Sequence, residues 1–111
     1  MPTDGPTYER IERPAGRTLV VHGELDLATV DGLRDQLSAV MLEAHSPAYV
    51  DLSGVTFLDS SSIAVLVDAH RLAPTHGSEL VIVAPSPACR RVFDILGLDD
   101  VLNIRAHPSG G

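Results

Sequence analysis

Asp59, Ser60, Ser61 and Ser62 stand together inside the otherwise apolar run FLDSSSIAVLV, residues 57–67. A carboxylate followed by hydroxyls at the edge of such a run has two readings. One is a helix start: Asp and Ser side chains accept hydrogen bonds from the free N–H groups of a first turn, a contribution of about 1 kcal/mol each. The other is a place where a phosphate is put on and taken off. The free N–H groups and positive dipole end of a first turn tolerate a phosphate without unfolding. The phosphate adds nearly two negative charges, so the fold survives while the surface changes. Capping explains Asp59 or Ser60 and leaves a second exposed serine unexplained.

Helical geometry makes the serines unequal. An advance of about 100° per residue through residues 60–73 gathers Ser60, Ser61, Ala64, Asp68 and Arg71 on one arc. Ile63, Leu66, Val67 and Ala73 take the opposite side, and Ser62 falls among them. Ser60 and Ser61 should therefore face water, and Ser62 the sheet. His70 also falls on the apolar side. A packed, hydrogen-bonded histidine is expected there, because no second metal-type residue sits three or four positions away.

The surrounding elements must hold this turn in place. TYERIERP is read as an edge strand, and RTLVVHGEL as its hairpin partner across the turn Ala15-Gly16. In LATVDGLRDQLSAVMLEAH, the residues Val30, Leu33, Leu37, Val40, Met41 and Ala44 recur at helical spacing. Asp31, Arg34, Asp35 and Glu43 are left for solvent. AYVDL is a third strand. SELVIVAP is a fourth, apolar enough to be covered on both faces. In SPACRRVFDILG, Ser86 is the expected N-cap, Pro87 the first helical residue and Gly97 the stop. DVLNI is a last short strand.

The order β-β-α-β-α-β-α-β predicts an α/β domain with a mixed, mostly parallel sheet of about five strands and three or more flanking helices. The serine run follows a strand and opens a helix, where open α/β sheets place their sites.

The length of 111 residues suits one domain. Residues 1–7 and 107–111 are expected to be flexible ends, leaving 8–106 as the domain. Cys89 is alone, which rules out an internal disulfide and suggests a reduced, cytoplasmic setting. It is expected to be a semi-buried helix residue. MPTDGPTYER has no signal-peptide core, and no apolar stretch would span a bilayer. The net charge is −7 and the only aromatics are two Tyr and two Phe. Neither suits a nucleic-acid partner. No P-loop, dinucleotide fingerprint or nucleophile elbow is present, and no histidine is placed by the pattern at a strand's C-terminal end. An enzyme is not expected, nor any cofactor or metal.

Three segments together resemble the bacterial anti-sigma factor antagonists, single-domain members of the STAS fold. They are VVHGELDLATVDGLRDQL, VDLSGVTFLDSSSIAVL and VFDILGLDDVLNI. The first holds the family's G-E-L-D at Gly23, Glu24, Leu25 and Asp26. The second is similar to its phosphorylation segment. The third is similar to its closing helix and strand. The resemblance implies that the partner is an anti-sigma factor that is also an ATP-dependent serine kinase. The unphosphorylated antagonist would bind it and free a sigma factor. A phosphate on the first serine, here Ser60 with Ser61 as second choice, would break the complex, and a serine phosphatase would restore it. Glu24, Asp26, Asp59, Ser60, Ser61 and Ala64 are the expected partner-binding residues. For Asp26 the other reading is a helix cap. One position departs: the family often has Gly where this chain has Ser62. The alternative role is a non-switching STAS adaptor of a larger assembly, such as a lipid-transport ATPase.

Overall fold

The computed structural model describes residues 5–14, 16–43 and 47–106. Strand β1 (Thr7–Arg13) and strand β2 (Gly16–Leu25) form an antiparallel hairpin, with Thr7 opposite His22 and Arg13 opposite Gly16. A 3₁₀ turn at Leu27–Thr29 leads into helix α1 (Val30–Glu43). Then come strand β3 (Ala48–Leu58), helix α2 (Ser60–Leu72) and strand β4 (Leu80–Val83). Helix α3 (Pro87–Leu96) and the short strand β5 (Ile104–Arg105) close the chain. The sheet order is β1-β2-β3-β4-β5, and every pair after the hairpin is parallel.

One apolar core joins the sheet to all three helices. Leu19 and Val21 of β2, Val50 and Leu52 of β3, and Leu80 and Ile82 of β4 meet Leu33 and Leu37 of α1, Leu66 of α2 and Phe93 of α3. The alternate positions Tyr49, Val81 and Val83 form a second, smaller cluster on the opposite face of the strands. All four residues of β4 are buried, as its unbroken apolar run requires.

The helix ends follow their local chemistry. The Ser86 hydroxyl accepts the Cys89 N–H at 3.2 Å, Pro87 opens α3, and Gly97 closes it at φ 66°. Cys89 is more deeply placed than expected: it is fully buried, and burial pushes its thiol pKa up.

Several boundaries differ from the sequence expectation. The third strand does not stop at Leu52 but runs to Leu58, because Gly54 to Leu58 keep pairing with β2. A Cβ on Gly54 would overlap the imidazole of His22, so the glycine is what lets the ladder continue past that side chain. Residues 27–29 form a 3₁₀ turn rather than the first turn of α1. Leu98–Asp100 also form a 3₁₀ turn, Leu98 and Leu102 plug the core, and the last strand begins only at Ile104. Thr7, read both as the start of the first strand and as part of the leading end, is paired in β1. Ala44, expected on the apolar side of α1, lies outside the described residues, as do 1–4 and 107–111.

The hairpin turn rests on Gly16. Its φ is +147°, and a Cβ there would stand 2.9 Å from the Pro47 carbonyl oxygen. Gly16→Ala should therefore destabilise the domain by about 1–3 kcal/mol. Urea melts of the two proteins at neutral pH would show it as a lower midpoint with an unchanged slope.

Candidate functional site

Strands β2 and β3 run parallel and end level, with Leu25 opposite Leu58. The residues that follow them, Asp26 and Asp59, thus leave the same edge of the sheet from neighbouring strands. The Asp59 N–H donates to the Leu25 carbonyl at 3.2 Å, which ties the two exits together.

Asp59 is the N-cap of α2, with extended backbone at φ −104° and ψ 179°. Its carboxylate receives four donors. Oδ1 accepts from the Ser61 hydroxyl at 2.6 Å, the Ser62 N–H at 3.0 Å and the Ser62 hydroxyl at 3.1 Å. Oδ2 accepts the Leu27 N–H at 3.1 Å. The Ser61 hydroxyl above all, aided by both Ser62 donors and Leu27, holds the Asp59 carboxyl below the usual carboxylate range, against some desolvation. Asp59 was expected to contact a partner; it is half-buried, and both its oxygens are engaged inside the chain.

The serines separate as the helical phase implies, with one refinement. Ser60 is exposed, and its hydroxyl has no hydrogen-bond partner among the described residues. Ser62 is fully buried. Ser61, expected to face water like Ser60, is half-buried and turned back to Asp59. Ala64, Asp68 and Arg71 continue the exposed face below Ser60, while Ile63 and Leu66 face the core. His70 is half-buried as placed, but its imidazole makes no hydrogen bond among the described residues, contrary to expectation.

Asp26 is the N-cap of the 3₁₀ turn and shares a capping box with Thr29, whose hydroxyl accepts the Asp26 N–H at 3.0 Å and donates to the Asp26 carbonyl at 3.1 Å. The Asp26 Oδ1 is buried without a partner among the described residues. Glu24 is exposed near the end of β2, opposite Phe57 in the ladder.

Two apolar side chains beside the serines were not anticipated. Leu27 is 73% exposed and Phe57 is 48% exposed. Exposed large apolar groups at the ends of β2 and β3 suit contact with another protein. Phe57 stands one residue before the buried Leu58, so once β3 is known to extend this far its backbone turns Phe57 to the other face.

No histidine among the described residues hydrogen-bonds a serine of the run. Among those residues no group of three or more His, Cys, Asp or Glu could hold a metal ion, and no helix is long and apolar enough to cross a membrane.

The arrangement defines a small α/β domain that presents an exposed serine at a capped helix start. Residues 11–104 match the family model described as Mlab, STAS domain. The chain belongs to the STAS domain family. It is 31% identical over 84 residues to the anti-sigma-B factor antagonist of Staphylococcus aureus, covering 76% of this chain and 78% of that one. The crystal structure of an anti-sigma factor antagonist from Mycobacterium paratuberculosis is similar at a TM-score of 0.80 and 26% identity, over 93% of this chain and 87% of that one. The Bacillus cell fate determinant SpoIIAA in its phosphorylated form shares the fold at a TM-score of 0.61 and 23% identity, covering 88% of this chain and 90% of that one.

Two expectations follow from the geometry. Ser62→Ala should fold, since it loses one of several donors to Asp59, whereas Ser62→Asp should cost a few kcal/mol by burying a charge. A melting temperature for Ser62→Asp equal to the native one would contradict the burial. The second concerns pH. The folded pKa of Asp59 lies below the unfolded value of about 3.9. Its ionised form therefore adds stability that is present above that value and is lost as pH falls through the lower folded one. Urea midpoints of wild type and Asp59→Asn should differ at pH 7 and converge below about pH 4. A gap that stays constant with pH would contradict the account.

Proposed function

We propose that this chain is an anti-sigma factor antagonist switched by phosphate on Ser60. It is a binding protein acting in the cytoplasm, not an enzyme. Unphosphorylated, it binds an anti-sigma factor that is also a serine kinase, and a sigma factor is released. Glu24, Asp26, Ser60, Ala64, Leu27 and Phe57 supply the contact. The reading is carried by one observation: of the three serines, Ser60 alone is exposed with an unengaged hydroxyl among the described residues.

The chemistry asks little of this chain. The Ser60 oxygen attacks the γ-phosphorus of ATP held by the kinase. The Oγ–P bond forms, the bond to the ADP oxygen breaks, and the hydroxyl proton passes to a base of the kinase. The product carries nearly two added negative charges, next to Asp59 and on a chain whose net charge is already −7. A close interface over Ser60 would have to bury that charge unpaired. A loss of ~3 kcal/mol lowers affinity about a hundredfold. A serine phosphatase returns the hydroxyl.

A second reading draws support from the family model, whose description names Mlab rather than an antagonist. It is a non-switching adaptor in a larger assembly, such as a lipid-transport ATPase. An adaptor does not need the Ser60 hydroxyl.

Phosphate mapping separates the two. Wild type incubated with a serine-kinase anti-sigma factor of the same genome and ATP should take one phosphate on Ser60 and leave the complex. Ser60→Ala should bind and stay bound after ATP is added, and Ser60→Asp should bind weakly. Full labelling of Ser60→Ala would remove Ser60 from the role. A wild type that takes no phosphate would favour the adaptor.

A further inference from the structure

We propose that Asp59 is the specificity-determining residue that confines phosphorylation to Ser60. The proposal rests on the phosphate-switch reading and adds the means of selection. Three hydroxyls stand within one helical turn, and a kinase that docks on this edge meets at least the two accessible ones, Ser60 and Ser61, within a few ångströms.

Asp59 withdraws two of them. A hydroxyl accepts a phosphoryl group only if its oxygen can reach the γ-phosphorus and its proton can reach the kinase's base. The Ser61 proton is held by the Asp59 carboxylate at 2.6 Å, in the length range of charge-assisted bonds, which are about twice as strong as neutral ones. Ser62 makes the same commitment at 3.1 Å and is buried besides. Phosphorylating Ser61 would require breaking its bond and bringing an anionic phosphate up against the carboxylate that made it. The carboxylate itself is fixed from both sides, because Oδ2 is held by the Leu27 N–H across the loop. It is not free to swing and engage Ser60 instead.

The same pair of atoms has a rival meaning. A carboxylate 2.6 Å from a hydroxyl is also the geometry of a general base, which would make Ser61 the better nucleophile. The other donors decide against it. Oδ1 already accepts the Ser62 N–H and hydroxyl, and these stabilise the anion and weaken its hold on a further proton.

The test is site-resolved mass spectrometry of wild type, Asp59→Asn and Asp59→Ala after incubation with the kinase and ATP, with far-UV CD to verify folding. Asn is a good N-cap and keeps the helix start, but it carries no charge. Wild type should carry phosphate on Ser60. The ratio of Ser61 to Ser60 labelling should rise roughly tenfold in Asp59→Asn and further in Asp59→Ala, as a hydrogen bond to a charged group is weakened and then removed. If Asp59→Ala fails to fold, the Asn variant alone decides. Variants labelled on Ser60 with an unchanged ratio would overturn this inference and leave the switch reading standing. Loss of all labelling in folded Asp59→Asn would make Asp59 a kinase contact and overturn it as well. Wild-type phosphate on Ser61 would overturn the selection, and a wild type without phosphate would overturn both readings together.

Discussion

The Asp59 carboxylate is the point on which this end of the molecule turns. Among the described residues it is the only side chain that hydrogen-bonds both the first turn of α2 and the loop that leaves β2. The loop is short and its backbone has few other ties: Thr29 holds its far side, and Asp59 its near side. Two segments far apart in sequence become one surface because a single anion has two oxygens. The parallel pairing of Leu25 with Leu58 makes this possible by bringing both chain exits to one level of the sheet. Everything below, from the burial of Leu66 to the antiparallel hairpin, sets that level.

The serines show how far a periodic pattern can be taken. The 3.6-residue repeat placed Ser62 inward and Ser60, Ala64, Asp68 and Arg71 outward, and the structure agrees. It did not place Ser61. A helical wheel gives the direction in which a side chain leaves the backbone, while the rotamer of a small hydroxyl is set by whatever acceptor lies within reach. The acceptor here was the N-cap, legible as a cap and not as the partner of a neighbouring hydroxyl.

The boundaries that moved did so for a related reason. SGVTF has the polar, glycine-bearing look of a loop when read alone, and it is a strand because HGEL lies alongside it and His22 sits over Gly54. Pairing between strands is a property of two segments, and one segment cannot announce it. Phe57 was hidden likewise, since an apolar residue in a supposed loop has no face until the strand is known. The G-E-L-D loop was easier to find than to interpret. Asp26 stands where its motif suggested and caps the turn, but the bonds that fix it come from a threonine three residues beyond the motif, Thr29.

The core of the domain contains one thiol, that of Cys89, packed with no accessible surface. Its thiol stays protonated because burial disfavours the thiolate, the form that oxidants and alkylating agents attack. The folded chain therefore offers such reagents no thiolate, so two copies cannot be joined through sulfur while they stay folded. The same atom becomes a clock when folding lapses. A thiol reagent reaches it only if α3 leaves the sheet, so the rate of its modification counts openings of the core rather than fraying at the serine turn.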